Sequence, residues 1–254
     1  MEVKPKKHLG QHFLKDKNIA KKIAETLQLN TPTILEIGPG MGVLTTFLKN
    51  NTSELYVAEV DPESIEYLVE NKIIDDHHIV GDFLKLNIEN YFDTEVSIIG
   101  NFPYNISSQI VFKTIENKEK IPEFAGMFQK EVAERICASP GNKQYGIISV
   151  LAQAYYKTEY LFTVDEHVFN PPPKVKSGVI RLTRKENLNL GCDENLFKNV
   201  VKTSFNTRRK MLRVSLKRII GSNDILKDEF FEKRPEQLKV EEFVWITNKL
   251  ANEI

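Results

Sequence analysis

This sequence has few cysteines, few glycines and prolines, and no long apolar run. Its 254 residues include two cysteines, Cys137 and Cys192, which are too few for a disulfide framework. Twelve glycines and eleven prolines exclude a collagen-like or low-complexity chain. No apolar stretch approaches the roughly 20 residues of a membrane helix, and the N-terminus lacks the apolar core of a signal peptide. We therefore expect a cytoplasmic protein with no membrane partner.

The net charge is zero, yet individual segments carry charge of mainly one sign. Basic and acidic residues number 35 each. Residues 51–95 hold twelve acids against two lysines, whereas residues 198–218 hold eight basic residues and no acid. The segments 1–22 and 171–185 are basic as well. This segregation indicates an acidic body with a basic surface for a polyanion, although ordinary solvated helix faces would give a similar pattern.

Short apolar runs alternate with segments of helical spacing along the first two thirds of the chain. The predicted strands cover residues 33–37, 55–60, 78–80, 96–99 and 124–128. The predicted helices cover residues 17–27, 43–49, 62–69, 107–115, 131–137 and 145–155, with caps at Asp16 and at Ser107 or Ser108. This alternation predicts a parallel sheet with helices on both faces. Two late strands, 159–164 and 178–183, have no helix between them and are most simply antiparallel, so the last strand is expected to be reversed.

The character of the sequence changes after Arg184. Residues 193–254 have apolar positions at helical spacing throughout, which predicts an all-helical segment. We therefore predict two domains, an α/β domain over residues 1–188 and a helical domain over residues 189–254. The segment 1–15 forms a basic arm at the start of the first domain.

A glycine-rich turn follows the first predicted strand. Gly38, Gly40 and Gly42 stand before a predicted helix, where glycines let a ligand approach the backbone and the helix N-terminus. A dinucleotide fingerprint would place its third glycine at position 43, where Val43 stands. The G-x-G-x-G spacing resembles the cofactor loop of S-adenosylmethionine (SAM) methyltransferases. A tight turn without a ligand would leave the same pattern.

Acidic residues end the next two predicted strands. One predicted helix and one predicted strand separate Glu59 from Gly40. In nucleotide-binding folds, a carboxylate at this position accepts hydrogen bonds from ribose hydroxyls. Asp82 follows the third strand and can accept from an adenine amino group. Because ligands bind at the carboxyl ends of strands in open α/β sheets, both acids are expected beside the glycine loop. Taken singly, each is also typical of a surface acid or a turn.

The tetrapeptide Asn101-Phe102-Pro103-Tyr104 ends the fourth predicted strand. It resembles the signature of enzymes that methylate the exocyclic amine of adenine. The side-chain oxygen of Asn101 and the carbonyl of Pro103 can accept hydrogen bonds from the two N–H groups of that amine. This arrangement favours a pyramidal nitrogen. Tyr104 can stack on the base, a contact of about 1–3 kcal/mol. This chemistry needs no metal, and the scattered histidines predict no metal site.

Four further motifs complete an ordered set: residues 10–14 (GQHFL), 129–131 (QKE), 169–175 (FNPPPKV) and 205–213 (FNTRRKMLR). From about residue 6 to residue 250 the chain resembles the ribosomal RNA adenine dimethyltransferases, specifically their bacterial small-subunit branch. The resemblance implies a Rossmann-like methyltransferase domain and a C-terminal RNA-binding domain. It also implies a monomer that transfers four methyl groups from SAM to two adjacent adenines. Those adenines lie in the 3′-terminal hairpin loop of 16S rRNA, in the small ribosomal subunit.

The resemblance also implies site residues. The cofactor contacts are His12, Leu14, Gly38, Gly40, Glu59, Asp82 and Asn101. The catalytic residues are Asn101, Pro103, Tyr104 and Phe169. Phe169 would supply a second aromatic face for the base, unless it is a core residue. His12 stands where the family usually has asparagine, so the role of its side chain is open.

A basic run in the helical segment is expected to bind RNA. Its members are Arg208, Arg209, Lys210, Arg213 and Lys217. On one continuous helix, three of them, Arg209, Arg213 and Lys217, would share a face suited to RNA phosphates. Ion pairs with acids elsewhere in the protein are the alternative.

Three other functions are compatible with parts of this pattern. The large-subunit dimethyltransferases of macrolide resistance usually read E-I-G-T-G where this chain has E-I-G-P-G at residues 36–40, and they lack the run at 205–210. A non-catalytic ribosome-assembly factor would not require the intact motifs. A DNA adenine methylase is disfavoured because the late motifs resemble the RNA enzymes.

Overall fold

The chain divides into two compact units in the computed structural model, which describes residues 3–29, 31–50, 52 and 54–253. The first unit is Met1–Glu134 with Thr158–Arg184, and the second is Arg135–Lys157 with Lys185–Ile254. The predicted boundary at 188 lies near the second division. Residues 135–157 were expected in the first domain, but they belong to the second unit because their helix packs on the C-terminal helices. Met1 and Glu2 of the predicted arm lie outside the described residues.

A six-stranded sheet forms the centre of the first unit. Its strands are β2 (Thr33–Ile37), β3 (Glu54–Ala58), β4 (Val96–Asn101), β5 (Glu123–Gln129), β6 (Tyr156–Val164) and β8 (Ser177–Arg184). Their order is β3-β2-β4-β5-β8-β6; the pairs among β2, β3, β4 and β5 are parallel, and β8 is antiparallel to β5. A separate antiparallel pair joins β1 (Phe13–Leu14) to β7 (Phe169–Asn170). The predicted α/β fold with a reversed last strand is confirmed.

Helices flank the sheet of the first unit. They are α1 (Lys17–Ala24), α2 (Thr45–Leu48), α3 (Pro62–Glu70), α4 (Ile88–Tyr91), α5 (Ser107–Glu116) and α6 (Lys130–Cys137). All five residues of β2 are buried, as expected of a strand covered on both faces. Asp16 caps α1 as predicted, and Asp61 caps α3.

Three local predictions are wrong. The segment predicted as a strand at 78–80 is a 3-10 turn, Asp76–His78, followed by a single bridge from Ile79 to Val57, so no ladder forms. The predicted helix at 43–49 is shortened to α2. Neither serine caps α5, because the Ser107 hydroxyl instead donates to the carbonyl of Tyr104 at 3.1 Å.

The second unit is helical, as predicted. Its helices are α7 (Ile147–Tyr155), α8 (Glu194–Asn206), α9 (Leu212–Ser215), α10 (Lys217–Ile220) and α11 (Val240–Ala251). Contacts among α7, α8 and α11 build its core, where Phe197, Phe243 and Ile246 are fully buried. Across the part of the chain that the structure describes, no helix is both long enough and apolar enough to cross a membrane.

Candidate active site

The glycine loop after β2 is held against the arm and against β3. Gly40 has a φ of +55°, and a Cβ there would lie 2.8 Å from Cδ1 of Phe13. Only glycine therefore lets the Phe13 ring lie on this loop. The backbone N–H of Gly40 donates to Oε2 of Glu59 at 3.3 Å. The structure thus brings the loop and the predicted ribose acid together.

Glu59 directly follows β3 and is 6% exposed. Its Oε1 accepts from the backbone N–H groups of Val60 at 2.8 Å and Asp61 at 2.9 Å. Burial raises the pKa of Glu59, opposed by these backbone hydrogen bonds. The carboxylate is thereby fixed in position, with acceptor capacity beyond its three backbone donors.

Asn101 ends β4 with its side chain turned to the arm. Its Nδ2 donates to the backbone carbonyl of His12 at 2.9 Å. Because a carbonyl oxygen only accepts, the amide must present its NH2 group there, which leaves Oδ1 as an acceptor. Within the described residues, no hydrogen bond to that oxygen is found. Pro103, two residues on, accepts a turn hydrogen bond from Ile106 at 3.3 Å and keeps a second lone pair.

The backbone of the tetrapeptide is anchored by Phe102. Its buried ring stacks on Phe124, with the centroids 4.9 Å apart and the planes 7° apart. Gly126 lies beneath it with a φ of +146°, and a Cβ there would lie 2.6 Å from Cε2 of Phe102 and 2.3 Å from the carbonyl oxygen of Gly100. The glycine makes the space for the ring, and the ring fixes the strand end that carries Asn101 and Pro103.

Tyr104 is held at both its hydroxyl and its ring. The hydroxyl lies 2.6 Å from Oγ of Ser177. The His12 ring lies 5.4 Å away, tilted by 31°, and its Nδ1 lies 2.8 Å from the carbonyl oxygen of Pro171. Since that carbonyl can only accept, Nδ1 carries the proton. The His12 side chain therefore supports the Tyr104 ring. This is its structural role at a position where the family usually has asparagine.

Two adjoining cavities are lined by five of the predicted site residues: His12, Gly38, Asn101, Pro103 and Tyr104. A small one is lined by Gly10, Gln11, His12, Phe13, Gly38, Asn101, Phe102, Pro103 and Tyr104. A cleft of about 600 Å³ is lined by Pro5, Lys7, Gly10, Gln11, His12, Tyr104, Gln129, Pro171, Pro172, Pro173, Lys174 and Val175. The second volume is typical of a ligand site, and Tyr104 is among its lining residues.

Phe169, predicted to offer an aromatic face to the base, is buried in this structure. Its ring is 1% exposed and belongs to the hydrophobic core, so it offers no free face to a base. The cause is the pairing of β7 with β1, which places Phe169 opposite Leu14. Leu14 is buried as well, so only its backbone is available to a ligand. In this structure Phe169 therefore lies in the core, and its contact with a base stays a prediction.

Asp82 makes the contacts of a turn residue. Its Oδ1 accepts from the backbone N–H of Leu84 at 2.9 Å, and Oδ2 lies 3.7 Å from Nζ of Lys85. These contacts lie within its own loop. Lys113 holds that loop by donating to the carbonyls of Leu84 at 2.8 Å and Leu86 at 2.6 Å.

The predicted row of basic residues on one helix is wrong. Helix α8 ends at Asn206, and Met211 is extended, with φ of −63° and ψ of +151°. The N–H of Leu212 then donates to the carbonyl of Lys233 at 2.9 Å instead of continuing a helix. Arg209 lies in the turn before α9, so it does not share a helix face with the later basic residues.

The ion-pair alternative holds for one member of the basic run. Arg213 pairs with Glu232 at 3.1 Å, whereas Arg208 donates to the carbonyl of Asn142 at 3.2 Å. Within the described residues, Arg209, Lys210 and Lys217 form no ion pair. A cleft of about 370 Å³ is lined by Arg213, Lys217, Ser222, Asn223, Asp224, Leu226 and Lys227.

A second buried acid lies beside the glycine loop and was not predicted from the sequence as a site residue. Glu36 in β2 is 1% exposed, and burial raises its pKa to about 8, with the charge of Glu59 adding to the shift. Its Oε2 has no hydrogen-bond partner among the described residues. An acid inside the apolar strand that leads into Gly38 was the available signal.

Among the described residues, one group of side chains is close enough to share a metal ion. Asp75, His77 and His78 place ligand atoms within 4.8 Å of one another. The group lies in the turn before Ile79 and includes none of the predicted site residues.

The fold and the site together define a SAM-dependent methyltransferase. The residues present fit this cofactor, because the glycine loop keeps its backbone open and a buried carboxylate is fixed beside it. A model of the ribosomal RNA adenine dimethylase family matches residues 2–251, so the chain belongs to that family. Its cofactor is S-adenosyl-L-methionine.

Similar proteins agree with this assignment. The chain is 60% identical over 252 residues to the ribosomal RNA small subunit methyltransferase A of Flavobacterium johnsoniae, covering 98% of this chain and 97% of that protein. It is 59% identical to the protein of the same name from Bacteroides thetaiotaomicron, covering 98% and 94%.

Solved structures share the fold. A dimethyladenosine transferase from Plasmodium falciparum has a TM-score of 0.82 at 24% identity, covering 95% of this chain and 98% of that one. The 23S rRNA methyltransferase ErmE has a TM-score of 0.70 at 25% identity, covering 93% and 99%.

Proposed function

We propose that this chain dimethylates the N6 amines of two adjacent adenines in the 3′-terminal hairpin loop of 16S rRNA. Its partner would be the small ribosomal subunit during biogenesis, and the protein would act as a cytoplasmic monomer. The observation that carries the proposal is the orientation of Asn101, whose nitrogen is bound by His12 and whose oxygen is left as an acceptor. The names of similar proteins at 51–60% identity support the small-subunit substrate.

The chemistry follows from acceptors placed at one strand end. SAM supplies a methyl group on an activated sulfonium. In the first transfer, Oδ1 of Asn101 and the carbonyl of Pro103 would accept hydrogen bonds from the two N–H groups of the target amine and favour its pyramidal form. In the second transfer, one of these acceptors would bind the single N–H that remains. The pyramidal form directs the nitrogen lone pair away from the ring, which is the geometry needed in the transition state. Tyr104, anchored by Ser177, provides the stacking surface for the base.

The cofactor contacts are proposed on the same geometry. Gly38 and Gly40 would approach the cofactor through their backbone, and Glu59 would accept from its ribose. His12 and Leu14 would contribute backbone groups, and Asp82 would accept from the adenine amine of the cofactor. The second unit would bind RNA phosphates through its basic run: Arg208, Arg209, Lys210, Arg213 and Lys217.

The large-subunit reaction is the main competitor. The similarity to the 23S enzyme is 25% identity, against 51–60% for the proteins named for the small subunit. A purely non-catalytic assembly role would not need the acceptor geometry at Asn101. A DNA substrate has no observation in its favour.

One assay separates these functions. The protein is incubated with labelled SAM and, separately, undermethylated small subunits, large subunits or DNA, and the labelled base is then located. We expect label on N6 of two neighbouring adenines near the 3′ end of 16S rRNA. Label on 23S rRNA or DNA, or no transfer to any substrate, would overturn the proposal.

A further inference from the structure

The arm crosses the carboxyl ends of the central strands. Phe13 lies on Gly40 after β2, and the carbonyl of His12 accepts from Asn101 at the end of β4. The N–H of Lys15 donates to the carbonyl of Val168 at 2.9 Å. These contacts fix the later part of the arm, from residue 12 onward, against the site.

The earlier part of the arm is fixed at a buried acid. Asp61 has an exposed fraction of 0%. Two of its donors belong to its own helix, the N–H of Glu63 at 3.3 Å and the hydroxyl of Ser64 at 3.1 Å. The other two come from the arm, Nε2 of Gln11 at 3.1 Å and Nζ of Lys6. The carboxylate therefore joins two segments that are far apart in the sequence.

The arm residues are also tied to each other. The backbone N–H of Lys6 donates to Oε1 of Gln11 at 2.7 Å, so the Gln11 amide is bound at both its ends. Burial alone would raise the pKa of Asp61, but the hydrogen bonds from Lys6, Gln11 and Ser64 outweigh it and the pKa lies below its usual value. Removing Lys6 would leave a buried carboxylate without its counterion.

Asp61 also contacts the predicted ribose acid. Its backbone N–H donates to Oε1 of Glu59, and Oε2 of the same carboxylate accepts from the N–H of Gly40. We propose that Asp61 is a positioning residue that, through Lys6 and Gln11, fixes the arm over the glycine loop, so that SAM affinity depends on this contact. Because such coupling is reciprocal, SAM binding in turn orders the arm.

An ordinary surface ion pair is the competing explanation. Nζ of Lys6 also lies 3.2 Å from Glu63, and the Lys6 side chain is 26% exposed. A solvated pair of this kind contributes little and orders nothing. The two explanations differ in whether loss of the Lys6 charge changes the order of the arm and the affinity for SAM.

The first test compares Lys6→Met with Lys4→Met. The control removes the same charge two residues earlier, from an exposed lysine that lies outside the cleft and forms no ion pair among the described residues. Hydrogen exchange of the arm backbone is measured without SAM, and SAM affinity is measured by calorimetry. We expect Lys6→Met to speed exchange of the arm and to weaken SAM binding by about 5-fold or more, with Lys4→Met like wild type.

The second test is Asp61→Asn. The amide oxygen can still cap α3, but the charge that binds Lys6 is gone, so the same two changes are expected. The double variant Lys6→Met/Asp61→Asn should bind SAM no more weakly than Asp61→Asn alone, because the two residues act through one contact. Should Asp61→Asn not fold, the lysine pair decides alone.

The outcomes are separate from those of the proposed function, because neither measurement involves RNA. If Lys6→Met matched Lys4→Met in arm exchange or in SAM affinity, the coupling would be disproved, even for an enzyme that methylates small subunits. A chain that failed to methylate small subunits would leave the arm experiment unaffected.

Discussion

The contact with His12 determines which atom of the Asn101 amide is available as an acceptor. The His12 carbonyl binds the amide nitrogen, so the amide oxygen is the atom left for a substrate. A carboxylate at this position has no hydrogen to donate to that carbonyl, although it resembles the amide in shape.

We expect Asn101→Asp to reduce methyl transfer by at least about 10²-fold, the scale seen when one transition-state hydrogen bond is lost. The melting temperature should stay close to that of wild type because the residue is only partly buried. Label transfer to undermethylated small subunits measures the rate. Retention of wild-type turnover would remove Asn101 from the reaction.

Glu36 gives the site a pH dependence in stability. Burial is the largest cause of its raised pKa of about 8, against a usual value of 4.5. The folded state therefore prefers the protonated carboxyl. The contribution of Glu36 to the free energy of unfolding is fully present below about pH 4.5 and is lost as the pH rises toward 8.

Glu36→Gln should remove this dependence, because the amide is neutral at every pH. Relative to wild type, the variant should gain unfolding free energy between pH 4.5 and 8, on the order of 3–5 kcal/mol. Denaturant titrations at several pH values measure the difference. Glu66→Gln, an exposed change in α3, is the control, and parallel curves for both variants would show that Glu36 is not the cause.

At the scale of elements, the turn between α8 and α9 separates basic residues that a continuous helix would have aligned. Arg213 is committed to Glu232, whereas Arg209 and Lys217 form no ion pair in the described chain. Exposed cations of this kind suit phosphates, which position an RNA without taking part in the chemistry.

We expect Arg209→Glu with Lys217→Glu to weaken small-subunit binding at least tenfold, with SAM affinity and melting temperature unchanged. Arg213→Glu is the matched contrast, because it places a second carboxylate beside Glu232 and should lower the melting temperature. Filter binding and thermal denaturation give the two readouts. Wild-type subunit affinity in the stable double variant would exclude this surface as the RNA contact.

The parts of the fold and site that the sequence predicted correctly have a local signal, although three other local predictions were wrong. The tetrapeptide at Asn101 and the strand before Gly38 are contiguous, and the link from Gly40 to Glu59 follows from one strand–helix–strand unit. The choice between an exposed and a buried Phe169 could not be made from the sequence, because burial depends on β7 pairing with β1, a strand near the opposite end of the first unit's sequence. The broken helix at Met211 likewise depends on a hydrogen bond to Lys233.

At the scale of the whole molecule, a net charge of zero conceals segments of opposite sign. The acids concentrate in residues 51–95, while the basic residues concentrate in 198–218 and near the N-terminus. RNA binding depends on local charge through release of counterions, so the overall balance does not abolish it.

We therefore expect subunit binding to weaken steeply with salt, with a logarithmic slope of about −0.7 to −0.9 for each phosphate contact. SAM binding should change little over the same range, because its proposed contacts are buried hydrogen bonds. Parallel titrations at several salt concentrations test both statements. A flat slope for the subunit would contradict a phosphate-binding surface.

Because the second unit includes residues 135–157, its parts are synthesised at different times. Helix α7 leaves the ribosome well before α8 and α11, the helices that pack on it in the folded unit. Until those arrive, the apolar side chains of Val150, Leu151 and Ala154 lack the helices that help to bury them. A chain cut at residue 188 would keep α7 permanently in that state, so such a fragment should expose apolar surface and aggregate. To produce the first unit alone, residues 135–157 must be replaced and residues 185–254 removed.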